Sequence, residues 1–562
     1  MTIWQVSLII ALSTMQLLAQ TSISVDLVAN ASSYKGPLAP GMVFVVFGKS
    51  MGPSSISTAV APNYPEILSG TSIKLTPSTG AGAINARMVY SLNSQLGAVL
   101  PSSVASGAYE LRVSFNGQTS AATTVNVAAR SFGIATTNSD GAGLAQATVG
   151  NINGGFSLTR FAGGSTTFNG VTWAHTQAHP GDTIILWGTG GGADLANDAG
   201  GSSGDQTAAG NFRVDVNGNL ITPLYAGTST GYPGLWQINF KLPGDTTPDC
   251  FAVIRVKVQI DPNTSVESNR VTIPVADVGQ NSCSDVNANP AIFSKLDAGE
   301  SITFGTFAIT KQLGTNGITV FPNFQGTIAK WTPLQWINNH AGVLFGSCRL
   351  HDSTFIAPAS SAFEPTHTYL DAGPSISLEG PNLLQGFTVP QIGAASSFLI
   401  YSTSEINPAN GTYILRGTGG KNVAALSATT VFPDSFSVPR YDRIPTPMID
   451  RTEPLTINWT GNGIKLVRIT ISTAQSELRG FFSHYTVLSC VVPAEVGTYT
   501  IPIEALSRLL PAESSGPNPY VGMISLVGFN QTEFNAGLLD GGKLDMGTFV
   551  GEISLSRLVK VQ

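Results

Sequence analysis

One pattern occurs twice in this chain, and it restricts the fold more than any other feature. Pro40-Gly41 is followed by Met42 to Phe47 and then Gly48; Pro180-Gly181 is followed by Asp182 to Trp187 and then Gly188. The residue numbers differ by 140. A second glycine follows each copy at the same distance, Gly52 and Gly192. Further on, Gln95-Leu96-Gly97-Ala98-Val99-Leu100-Pro101 matches Gln237-Ile238-Asn239-Phe240-Lys241-Leu242-Pro243 at an offset of 142, which Tyr90 and Tyr232 share. Ordered matches at a nearly constant offset mean a duplicated domain. Each copy then closes with strands, Tyr109 to Phe115 and Thr123 to Val127 in the first, Phe251 to Ile260 and Arg270 to Val275 in the second.

Within each copy, runs of about five to eight apolar or alternating residues are separated by Gly, Pro, Asn and Ser, which reads as strand and turn. Spacing near ten residues without a helical period predicts an antiparallel sandwich. Pro-Gly sets the turn before the strand. The aromatic residue that ends it, Phe47 or Trp187, is expected to face the core. Charged residues make up 11% of the 562, against about 25% in ordinary soluble proteins. That argues against coiled coils and long helices, which need Glu, Lys, Arg and Leu runs. With 28 basic against 34 acidic residues, no basic patch points to nucleic acid. A hydrophobic content of 42% argues against bulk disorder.

The first half resembles a family of extracellular repeats abundant in Acidobacteria of the Solibacter type, which carries an uncharacterised C-terminal domain label. The resemblance rests on Asn30-Ala31-Ser32-Ser33-Tyr34, on Gly36 to Gly41, on the strand ending Phe47-Gly48, on Tyr232 to Phe240 and on Ser268-Asn269-Arg270-Val271-Thr272-Ile273, and spans about residues 25 to 285. It implies a pair of Ig-like sandwiches and export, and brings no catalytic residues with it. The first copy departs from the pattern at Tyr90 to Ser94, which lacks the Pro-Gly preceding Leu235 and Trp236.

Residues 1–20 read as a signal peptide: an uncharged apolar stretch from Val6 to Leu18, too short and interrupted for a membrane span. No later run reaches the ~18 apolar residues of a membrane helix. The expected location is therefore secreted or at the cell surface. In such a compartment the four cysteines permit disulfides. Cys250 and Cys283 flank one strand-rich stretch and are the favoured pair; Cys348 and Cys490 then form a second pair or remain two buried thiols. Five Asn-x-Ser/Thr sequons, at Asn30, Asn263, Asn410, Asn458 and Asn530, carry little weight in so Asn- and Thr-rich a chain.

The expected organisation is all-β: Ig-like repeats at 21–129 and 130–278, a β-rich domain at 290–430, and a C-terminal sandwich-like domain at 431–562. The polar stretch Gly279 to Pro290 and the proline-rich stretch Val431 to Pro447 serve as linkers. Only Ile503 to Leu510 reads as a short helix.

Four patterns invite a chemical reading. Gly48-Lys49-Ser50-Met51-Gly52 matches a nucleophile elbow, but no helix follows and the second copy has Gly190 in place of Ser50. Gly188 to Gly192 lacks the Lys-Ser/Thr ending of a phosphate loop. His175 and His179 share a strand face at about 13 Å, too far to hold one ion. Asp194, Asp198 and Asp205 lie in a Gly-rich loop with oxygen ligands for Ca²⁺ but no EF-hand pattern, so a solvated loop is the plainer reading. No metal, cofactor or catalytic residue is therefore assigned. Trp331 and Trp336, with polar neighbours Lys330, Thr332, Gln335 and Asn338, are the candidates for stacking on a sugar, with core packing as the competing reading. The loops Asn151 to Ala178 and Gly190 to Gly210 are the expected contact regions. The function expected is binding, adhesion or structural support without catalysis, with polysaccharide or a cell-surface protein as partner and no nucleic acid. A polysaccharide-active hydrolase with its site in 290–430 is the alternative.

Overall fold

The computed structural model describes residues 22–562 apart from 81, 138, 140, 142, 151–154, 169, 262, 284–289, 315–318, 334–335, 338–341, 355–367, 395–397, 443–446, 477–481 and 513–519. The signal-peptide reading of 1–20 lies outside the described residues. The chain is all-β and divides into two compact units. One holds residues up to Ser131 together with Thr189–Gly204 and Thr228–Leu235; the other holds Phe132–Gly188, Asp205–Gly227 and Trp236–Gln562. The second copy thus lends two loop segments to the unit built on the first.

In the first copy, β1 (Ser24–Asn30), β2 (Val43–Lys49), β3 (Thr71–Pro77), β4 (Arg87–Ser91), β5 (Gln95–Val99), β6 (Gly107–Phe115) and β7 (Thr123–Val127) form two sheets, ordered β1-β2-β5-β4 and β7-β6-β3. This is the ABED and GFC pairing of an immunoglobulin sandwich. Strand alternation sends Phe44, Val46, Leu96 and Ala98 from one sheet, and Ile73, Leu75, Leu111 and Val113 from the other, into one core. Tyr109 Oη donates to Ala105 O, four residues upstream, at 2.9 Å. That is the tyrosine corner of Ig-like domains. Gly97 lies opposite Tyr90, whose ring covers the space a Cβ would need.

The second copy repeats the plan with β8 (Ala147–Gly150), β9 (Phe156–Thr159), β10 (Gly164–Phe168), β11 (Val171–Thr176), β12 (Thr183–Thr189), β13 (Arg213–Val216), β14 (Tyr225–Thr228), β15 (Trp236–Lys241), β16 (Asp249–Asp261) and β17 (Val271–Val275). Its first sheet runs β10-β11-β9-β8-β12-β15-β14; in the second, β13 and β17 flank β16. Three extra strands, β9 to β11, extend the edge that β1 leaves open in the first copy. Trp236 is fully buried, as are Ile184 and Leu186. Phe47 and Trp187 are only half-buried, which corrects the expectation that they face the core. With a period of two, Val46 and Leu186 point inward, so their neighbours Phe47 and Trp187 point out.

From α1 (Pro290–Asp297) onward most strands join, among the described residues, in one fifteen-stranded sheet, beside two two-stranded sheets that pair Ser435–Ser437 with Thr460–Asn462 and Leu455–Asn458 with Thr498–Ile501. Its main path includes β18 (Ile302–Leu313), β19 (Thr319–Trp331), β20 (Cys348–Thr354), β21 (Ser375–Glu379), β22 (Thr388–Ala394), β23 (Phe398–Thr403), β24 (Gly411–Gly417), β25 (Leu426–Phe432), β26 (Leu466–Ser476), β27 (Phe482–Pro493), β28 (Tyr520–Glu533) and β29 (Met546–Val561). The order is β20-β27-β26-β28-β29-β18-β19-β23-β22-β21-β24-β25. β18 pairs in parallel with β29 from Phe304↔Met546 to Leu313↔Leu555. The boundary expected between 430 and 431 therefore has no counterpart in the pairing. One hydrophobic core runs through both halves, from Phe307 to Val561. The expected linker Val431 to Pro447 contributes Phe436, Val438 and Tyr441 to that core. Tyr413 Oη donates to Pro381 O at 2.8 Å and contacts Ala409 O at 3.2 Å, the corner geometry again.

Candidate functional site

The residues with the most concentrated chemistry lie where the second Ig-like copy meets α1 and the large sheet, within one compact unit. β16 begins with Asp249-Cys250-Phe251, and each of the three is used there. Asp249 is 1% exposed. Its carboxylate accepts from Arg349 Nη1 and Nη2, both at 3.1 Å, and from Phe251 N at 3.0 Å. The fork geometry of guanidinium on carboxylate gives two parallel bonds. Arg349 comes from β20, so the pair ties copy to sheet. Cys250 is bonded to Cys283. Phe251 packs at 5.4 Å from Phe161, which stacks at 5.6 Å on Phe293 of α1.

α1 was missed in the sequence. Pro290 opens it, a position where a missing N–H costs nothing, and Ile292, Phe293 and Leu296 recur at helical spacing into one buried cluster. Its last residue, Asp297, accepts from Phe161 N at 3.0 Å and Ala162 N at 2.7 Å. Burial pushes its carboxyl up to about 6, against the opposing pull of those two amides and of Arg160. Lys295 reaches Asp545 at 2.7 Å, and Asp545 also accepts from Thr303 N at 2.8 Å.

Trp331 and Trp336 belong to this joint. Trp336 is 1% exposed and Trp331 half-buried, packed in one cluster with Phe251, Cys250 and Ile302. Phe304 lies 4.4 Å from Trp331 and 6.1 Å from Trp336. The sugar-stacking reading is thereby corrected for Trp336, which is buried, while Trp331 packs against the same cluster and keeps part of its ring exposed. Cys348 and Cys490 are cross-strand partners on β20 and β27 and form the second disulfide. No cysteine is free.

The other candidate motifs resolve into structure. Ser50 has a positive φ of 58°, as an elbow serine would. However, its N–H donates to Asn93 Oδ1, no helix follows, and the unit that contains it has no histidine in its sequence. His175 Nε2 meets Thr166 Oγ1 at 2.7 Å, while His179 Nε2 donates to Gln280 O at 2.9 Å.

Neither the Ca²⁺ reading nor the solvated-loop reading describes Asp194 and Asp198. Asp194 is buried and accepts from Ser203 Oγ at 2.6 Å, Ser203 N at 3.0 Å and Thr228 Oγ1 at 2.5 Å. Burial pushes its carboxyl up, but these hydrogen bonds outweigh it and hold it below the ordinary range. Asp198 accepts from Ser102 N at 3.0 Å and Ser102 Oγ at 2.7 Å. Asp205 turns to Thr207 Oγ1 and N and to Ala226 N. Protein donors thus occupy carboxylate oxygens a cation would need. Among the described residues, no His, Cys, Asp and Glu group is arranged to hold a metal. Gly190 sits against Ser131 O and the Asn30 amide, at φ 90°, so its lack of a side chain serves close packing. Gly190 to Gly204 is therefore a packed structural loop. Of the sequon asparagines, Asn30 and Asn530 are buried, with amides donating to Ser131 O and to Val431 O.

No family model and no curated protein matches this chain. Among solved structures it is similar to Sidekick-1 immunoglobulin domains 1–4, at 11% identity and TM-score 0.11 over 96% of this chain and 100% of that one. Titin domains I67–I69 match at 7% identity and TM-score 0.11, over 68% and 95%. The E. coli alpha-2-macroglobulin matches at 10% identity and TM-score 0.12, over 95% of this chain and 28% of that one. Scores this low carry no functional argument; the Ig-like assignment stands on strand order, register and the tyrosine corner.

Proposed function

We propose that this protein is an exported β-sandwich scaffold, secreted or displayed at the cell surface, whose role is structural or adhesive and not catalytic. The observation that carries this reading is the joint between the second Ig-like copy and the large sheet. A disulfide, a buried fork-to-fork ion pair and an aromatic cluster converge there. A joint built this way holds its parts in fixed relation, as a spacer or platform requires. The two disulfides also support export, because such bonds persist in oxidising compartments and are rare in the cytosol. The partner that fits an Ig-like scaffold is a protein of the cell surface.

The test is fractionation of the source cells combined with alkylation mass spectrometry. The expected result is a chain outside the cytoplasm, cleaved near residue 20, with all four cysteines resistant to alkylation until reduced. A cytosolic chain with four free thiols would sink the reading. The non-catalytic half is checked by incubating the protein with a polysaccharide panel and assaying released reducing sugar. Release that survives repurification overturns it.

A further inference from the structure

The two Ig-like copies agree down to single hydrogen bonds, which makes one disagreement informative. Ser120 Oγ donates to Ala121 O and accepts from Val113 N; Ser268 Oγ donates to Asn269 O and accepts from Val256 N. Leu38 pairs in parallel with Val127, and Ala178 with Val275. Leu38 N donates to Asn126 O and Ala128 N to Leu38 O; Ala178 N donates to Pro274 O and Ala276 N to Ala178 O. Thr124, Asn126 and Ala128 are thus the counterparts of Thr272, Pro274 and Ala276.

At Thr272 the second copy has a further partner. Its N–H donates to Gly143 O, and Ala145 N donates to Thr272 O, so Gly143-Leu144-Ala145 adds to the edge of β17, with Ala145 in the sandwich core and Leu144 in the cluster with Phe161 and Phe251. At Thr124 the first copy has instead a groove of about 590 Å³ between β1 and β7, walled by Asp26, Leu27, Val28 and Val125. The cause is chain length. Ser24 O packs against Gly48 and Gly133 O against Gly188, while Val28 pairs with Val46 and Ala147 with Leu186. Between these matched points the first copy has only residues 25–27, and the second has residues 134–146. The clamp on the longer segment is Asn269, bonded to Ile134 N, Ile134 O and Gly141 O. Its counterpart is Ala121.

We propose that this groove is a strand-addition site, which takes an extended segment of another protein running parallel to β7 beside Thr124. A small apolar side chain of that segment occupies the place Ala145 takes in the core of the second copy. Backbone bonds to a sheet edge supply affinity, and the side-chain pocket supplies selection. Asp26 is the one charged residue in the groove wall, so a lysine or arginine in the added segment favours binding. The proposal goes beyond the scaffold reading and does not rest on it, since peptide binding and export are measured separately.

The probe is a synthetic peptide with the sequence of residues 141–148, labelled with fluorescein at its C-terminus and titrated with the full chain by anisotropy. Saturable binding is expected, at least about tenfold weaker when the peptide alanine that corresponds to Ala145 is replaced by aspartate. Thr124→Pro, which removes the N–H at a position an edge strand tolerates, should abolish it. Ala121→Asn, which supplies the missing clamp, should tighten it several-fold, and that gain cannot arise from misfolding. No saturation up to about 1 mM, or binding indifferent to both variants, overturns the proposal. Sedimentation velocity of the chain alone should show a monomer; self-association lost in Thr124→Pro would assign the groove to a second copy and overturn the proposal as stated.

Discussion

The first Ig-like copy and the second begin from one strand plan and end with different surfaces. In the first, β1 and β7 leave an open seam at Thr124. In the second, the counterpart edge is occupied by the chain's own Gly143 to Ala145, and β9 to β11 extend the sheet beyond β8. The cores differ as well. Register makes Ala252 the counterpart of Tyr109 and Phe240 the counterpart of Ala98, so a large and a small residue exchange places. Cores tolerate such exchanges when total volume is kept. The exchange has a consequence: the tyrosine corner exists only in the first copy, while the second gains its order from outside its own sandwich, through Asp249, Cys250 and Phe251. Duplication supplied one fold twice, and the difference in partners set what each copy has left to offer.

The largest expected effect comes from breaking the joint on the second copy. Arg349→Ala leaves Asp249 buried without its cation, and removing one partner of a buried pair costs about 3–5 kcal/mol. Calorimetry should show the transition of the second copy and sheet moving down while the first unit's transition stays; a uniform shift of both would refute the assignment. Asn269→Ala should make the second copy resemble the first. Loss of three buried hydrogen bonds costs about 2–3 kcal/mol, and hydrogen exchange should rise at Gly143 to Ala145 while β16 stays protected. Unchanged exchange there would mean the clamp does not hold the edge.

A pH series sharpens the same contrast. A carboxyl raised in the folded state contributes stability that is full below its ordinary 3.8 and is lost as pH rises through about 6. Asp297→Asn should therefore flatten the stability of the second unit between those values by about 1–2 kcal/mol. Equal slopes in the two proteins would remove Asp297 from the account. The smallest effect is Tyr109→Phe. It deletes one hydrogen bond, about 1 kcal/mol, and should lower only the first unit's midpoint in chemical denaturation.

Much of this was legible in the residues. The Pro-Gly strands and the offset near 140 report local structure, since strands and turns are encoded in runs of a few residues. Cys250 and Cys283 were readable as a favoured pair because they flank one strand-rich stretch. α1 had its signal in Pro290, Ile292, Phe293 and Leu296, obscured by the polar stretch before it. Trp331 and Trp336 were not readable. Their neighbours Lys330 and Thr332 describe sequence polarity, and whether a ring faces water depends on which other strand or helix lies over it.

By itself, then, the sequence determined the class, the duplication, the turns and the sparsely charged, strand-rich character that leads to sandwiches. Tertiary structure decided the rest. Only pairing across the chain joined Phe304 to Met546, on either side of the division expected at 430. Only packing turned Asp194 and Asp198 from candidate ligands into anchors of a loop, and Trp336 from a candidate binding residue into core. The reason is physical: periodicity and turn chemistry act over a few residues, while burial and hydrogen-bond satisfaction depend on groups that lie as far as hundreds of residues away.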